Sequence, residues 1–178
     1  MELSIGQKVA YPNQGVCMIE DIEKKTVGER CISFYALRVL SDNSIILIPT
    51  ENAESVGVRP ILSMIQCKSV IKALSADFEA VSCDWKVRSR EFNEKVKSGD
   101  LFQTVDVMKK LTFLSREKKL SFREQNLLDK ARFLIISELS NAHEADEDRL
   151  RNEIEQLVEH ACLKHLESQP SVVSAAIH

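Results

Sequence analysis

The stretch CDWKVRSREFNEKVKSGD, residues 83–100, gathers the side chains best suited to hold nucleic acid. Trp85, the sole tryptophan, is followed closely by Lys86, Arg88 and Arg90. An indole wedges between bases, and ammonium or guanidinium groups hold phosphates. The same residues also fit an ordinary core helix. Trp85, Phe92 and Val96 stand at i, i+7 and i+11, nearly eclipsed on one helical face. On that view Trp85 is an apolar anchor and the cations are solvated. A first-turn side chain, however, can overhang the end of a packed bundle, and Trp85 sits at the very start of its helix, just after Asp84.

Other chemistry is sparse. The five glycines, at 6, 15, 28, 57 and 99, are too scattered for a phosphate-cradling loop. The four histidines all fall at or after residue 143, away from any nucleophile they would activate. His160, Cys162 and His165 come nearest to a metal set, but residues five apart on a helix lie about 140° from one another. The five cysteines form no C-x-x-C pair, which argues against a zinc ribbon or a disulfide framework. Asp146, Glu147 and Asp148 suit a solvated helix start. No catalysis, cofactor or metal is expected.

Charge is segregated. Residues 1–83 hold 8 Lys/Arg against 10 Asp/Glu, residues 84–132 hold 13 against 8, and residues 133–178 hold 3 against 9. The basic block coincides with the tryptophan, and local potential matters more to a polyanion than the net −3. With 44% hydrophobic and 29% charged residues, the composition is that of a globular protein. It has no apolar run of eighteen and no signal-like start, so a cytoplasmic protein is expected.

The elements that must position these groups divide in two. Residues 1–60 alternate apolar and polar side chains between turns such as PNQG and SDNS, which predicts four or five short strands in a small barrel or bent sheet. Thereafter Gly99 is the last glycine and the period moves towards 3.6. Helices are expected over 61–75, over Trp85–Lys97 with Gly99 closing it, and from Asp100 to about Leu114 with Gln103 completing a capping box. Another opens at the capping box Ser121–Glu124, and a last one begins near Asp146. The expected plan is a β module over 1–60, a connecting segment over 61–83, a helical domain over 84–167 and a disordered tail over 168–178.

Several separated motifs, VAYPNQGV, IPTENAESVGVRP, W-x(6)-F…SGD and LSFREQNLLDKAR, resemble the CarD/CdnL family of bacterial transcription regulators over residues 3–142. The resemblance implies an α+β protein: a small Tudor-like β module, shared with transcription-repair coupling factors, followed by an all-α bundle. It implies that the β module docks on the β subunit of RNA polymerase. It also implies that the helical part contacts promoter DNA upstream of the −10 element, without strong sequence preference. Trp85 matches the family's wedge tryptophan, which enters the minor groove at the upstream edge of the bubble and prolongs the open complex.

Lys86, Arg88 and Arg90 fall among the basic positions around that tryptophan, and Lys25, Thr26 and Val27 match the turn that touches polymerase. Leu47 stands where some relatives carry a contacting arginine, and Gln125 replaces a basic residue. A nucleoid-associated monomer with no membrane partner is expected. The alternative is an adaptor of polymerase with Trp85 buried and no DNA contact.

Overall fold

Five strands pair into one antiparallel sheet in the computed structural model, which describes residues 2–143 and 145–168. They are β1 (Lys8–Tyr11), β2 (Gly15–Val27), β3 (Arg30–Val39), β4 (Ile45–Pro49) and β5 (Arg59–Pro60), in the order β4-β3-β2-β1-β5. Val9, Cys17, Ile19, Leu37 and Val39 form the centre of its core. The register shifts between Ile19 and Asp21, a bulge that bends β2 where the core ends. Past the bulge the β2–β3 hairpin continues as a largely exposed arm, turning at Gly28 and Glu29.

The helices are α1 (Met64–Leu74), α2 (Trp85–Lys97), α3 (Leu101–Glu117), α4 (Phe122–His143) and α5 (Glu147–Ser168). A small β module followed by a helical bundle is the fold class expected from the sequence. The bundle packs around Val105, Met108, Leu111, Ile135, Leu139 and Ile154, all nearly inaccessible. The acidic last helix belongs to this core through Leu150, Ile154, Val158 and Cys162.

Local details differ from expectation in three places. The helix foreseen over 61–75 starts at Met64, because Ser63 and Gln66 form a reciprocal capping box there. Asp100 does cap α3, but Gln103 reaches its carboxylate and not its backbone, which Ser98 Oγ satisfies instead. Ser168, assigned to a tail, is the last residue of α5, where its hydroxyl donates to Asp77 Oδ2 at 2.8 Å. The rest of that expected tail, residues 169–178, lies outside the described residues. No helix among those described is long and apolar enough to cross a membrane.

The two modules meet at a polar joint. The Arg59 guanidinium donates to both carboxylate oxygens of Glu138, at 2.5 and 2.9 Å, and to the carbonyl of Gly99 at 2.9 Å. Glu138 is buried and also accepts from the Leu62 N–H at 3.1 Å. Pro12 packs so closely on Gly57 and Gly99 that a Cβ at either would come within 2.7 and 2.9 Å of its ring. Both glycines have positive φ, so side chains are disfavoured there twice over. Residues from three of the four separated motifs meet at this one joint.

Candidate functional site

Asp84 caps α2 by accepting from the Lys86 and Val87 N–H groups at 2.8 and 3.4 Å, which makes Trp85 its first residue. Phe92 and Val96, its expected partners on the apolar face, are buried, whereas Trp85 is 61% exposed. The indole stands past the edge of the bundle, with Lys86 Nζ 5.7 Å from its ring centroid. The premise of a buried tryptophan therefore fails.

The basic positions around it fare differently. Arg88 is 3% exposed, donating to the Ser82 carbonyl at 2.7 Å and to Glu124 Oε1 at 2.9 Å. Its guanidinium is spent inside the protein, which corrects the expectation that it meets phosphate from an open face. Arg90 is exposed, but five residues from Trp85 it lies about 140° around the helix. Lys86 alone of the three stands over the indole.

The basic surplus of residues 84–132 is likewise smaller at the surface than by count. Lys95 and Lys110 bind Asp106, Arg116 pairs with Glu159, and Arg132 pairs with Asp129. Lys109 is buried, and its ammonium donates to the carbonyls of Ala73 and Ala76. Lys86, Arg90, Lys97, Lys118, Lys119 and Arg123 remain exposed.

Three of those six cations converge on one groove. A cleft of about 790 Å³ runs between the first turns of α2 and α4, lined on one side by Trp85, Ser89 and Phe92 and on the other by Lys118, Lys119, Phe122 and Arg123. Phe122 is 80% exposed. Ser121 and Glu124 close the expected capping box, at 3.0 and 3.3 Å, so Phe122 begins α4 as Trp85 begins α2. Burial opposes ionisation of Glu124, but hydrogen bonds from the Ser121 N–H, Arg88 and the Ser121 hydroxyl outweigh it and hold its pKa at about 2. Phe122, Lys118, Lys119 and Arg123 were not singled out from the sequence. The KK pair and the phenylalanine just inside a capping box were the available signal.

The arm of the β module carries the second set of expected residues. Lys25, Thr26 and Val27 end strand β2, opposite Ile32, Cys31 and Arg30, beside the turn and not within it. Lys25 Nζ pairs with Glu23 at 2.9 Å on an exposed surface. Leu47 lies on β4, the sheet edge, opposite Ala36. Because side chains alternate along β3, the register puts Lys25, Val27 and Leu47 on one face and Thr26 on the other. Leu47 and Val27 are 39% and 56% exposed, so this face combines apolar surface with a cation next to an unpaired strand edge.

Family models match both modules: CarD-like/TRCF RID domain over residues 3–62, and CarD, C-terminal domain, over residues 69–155. A Bacillus subtilis (strain 168) protein named "Putative transcription factor YdeB" is 30% identical over 135 residues, covering 76% of this chain and 88% of that protein. The chain belongs to the CarD family. Within this CarD-family chain the matched N-terminal segment ends at the joint, and the C-terminal one takes in Trp85, Phe122 and most of the bundle. The solution NMR structure of the 72-residue N-terminal domain of Myxococcus xanthus CarD is 34% identical, covers 33% of this chain and 79% of that one, and has a TM-score of 0.29.

Proposed function

We propose that this CarD-family regulator binds the β subunit of RNA polymerase through the face of Lys25, Val27 and Leu47, and holds promoter DNA in its open form with Trp85. The observation that carries this is the placement of Trp85. A lone tryptophan at the head of a capped helix, 61% exposed beside Lys86, has been left out of a core that closes without it. Trp85 lines one cleft with the exposed Phe122, and an exposed apolar patch of that kind marks a contact surface.

The mechanism is differential affinity. Inserting an apolar wedge at a base step costs roughly a few kcal/mol in intact duplex. At the upstream edge of a bubble the step is already opened, so the indole binds that state better and shifts the equilibrium towards it. A gain of about 1.4 kcal/mol lengthens the balance tenfold in favour of the open complex. The few exposed cations give weak, salt-sensitive attachment to free DNA. Docking on polymerase then raises the local concentration of the helical module at the promoter. The protein acts as a monomer inside the cell, at the nucleoid, without an enzymatic step.

The deciding experiment measures open-complex lifetime on one promoter after competitor challenge. Wild type should extend it. Trp85→Ala should lose most of the extension while still co-eluting with polymerase, and an unchanged lifetime with Trp85→Ala would sink the wedge.

A further inference from the structure

We infer that the groove between the first turns of α2 and α4 holds an unpaired nucleotide of DNA, with Phe122 as a second stacking surface in the cleft that Trp85 lines. The inference rests on the promoter-opening role proposed above and names the ligand of that surface. Phe122 is the most exposed large apolar side chain among the described residues, at 80%. Nothing local needs it: Ser121 and Glu124 already cap α4. Two bare aromatic rings, each the first residue of a capped helix, line one cleft of about 790 Å³. That volume is within the roughly 300–1,000 Å³ of ordinary ligand sites.

Charge specifies the class of occupant. Lys118, Lys119 and Arg123 are exposed along the cleft, whereas Glu124 is its only carboxylate. Glu124 is already engaged by Arg88, the Ser121 N–H and the Ser121 hydroxyl, so it presents little free acceptor to repel an anion. The same Arg88–Glu124 pair ties the two helix starts together and holds the groove's width. Aromatic faces with cations on one rim are the pattern that stacks a base and neutralises its phosphates. A base inside a duplex has both faces covered by its neighbours, and only an unpaired one can enter between two rings. An acidic peptide would use the cations and leave the two rings idle.

The full chain is titrated with a short single-stranded oligothymidylate, and the emission of its sole tryptophan reports contact directly. The single strand is expected to quench Trp85 and to bind more tightly than a duplex of equal length. Phe122→Ala should weaken it about tenfold, and Phe122→Tyr should retain binding, because ring stacking supplies the affinity. Phe122 is exposed, so its truncation leaves the fold intact, which circular dichroism checks.

Wild-type affinity in Phe122→Ala, absence of quenching by the single strand, or equal binding of poly-glutamate would each overturn the inference. Open-complex lifetimes separate this from the proposal above. If Trp85→Ala shortens the lifetime and Phe122→Ala leaves it unchanged, the groove inference falls while the wedge stands. A silent Trp85→Ala counts against the wedge itself.

Discussion

Arg88 Nη2 lies 2.9 Å from Glu124 Oε1, and this one ion pair joins the start of α2 to the start of α4. Arg88 has 4% side-chain exposure and Glu124 17%, so water does little to screen them. The pair positions the two exposed rings without touching either partner.

Removing Arg88 should therefore destabilise the protein. Arg88→Ala leaves Glu124 short of a cation and opens the groove, at a cost of about 3 kcal/mol in urea denaturation. The pH dependence should change with it. Glu124 has a folded-state pKa of about 2, below its ordinary 4.5. Its ionised form thus adds stability at neutral pH that is lost as pH falls from about 4.5 to about 2. Arg88→Ala raises the folded-state pKa, so its stability should fall less steeply across that window than the wild type's.

The joint between the modules should respond to a smaller change. Gly99→Ala forces a side chain into positive φ and towards the ring of Pro12. Strain of about 1–3 kcal/mol is expected, together with faster hydrogen exchange at the Arg59–Glu138 contact. An exchange pattern identical to wild type would contradict this account of the joint.

Trp85 should behave as a solvated residue in the free protein. Its emission is expected to be red-shifted and freely quenched by acrylamide, because 61% of it is exposed. Trp85→Ala should change stability by no more than about 0.5 kcal/mol, as surface substitutions do. A large loss would mean that the ring is a core residue after all.

The arm gives a separable effect. Lys25→Glu puts a carboxylate beside Glu23 and removes the Lys25 cation from the face shared with Leu47. Affinity for polymerase, measured by surface plasmon resonance, should fall by about tenfold, equivalent to ~1.4 kcal/mol. Thermal stability should hold, since the exposed Lys25–Glu23 pair contributes little.

Much of this protein was legible in its residues because the signals were local. Ser121 and Glu124 cap α4, Asp84 begins α2 at Trp85, and Asn13 and Gly15 turn the first hairpin, each within a few positions of its partner. Periodicity separated sheet from bundle, and matching motifs led to the CarD family. The fate of individual charges was not legible. Arg88 and Lys109 count as cations in any window of sequence, yet Glu124, which engages Arg88, and Ala73, which engages Lys109, each lie 36 positions away, and only packing brings them there. In the same way Trp85 and Phe92 share a helical face by number, and the bundle's edge falls between them. Burial is a property of what lies across from a residue in space. A chain therefore specifies its helices and turns from within, while the groove and the surface charge emerge when distant helices meet.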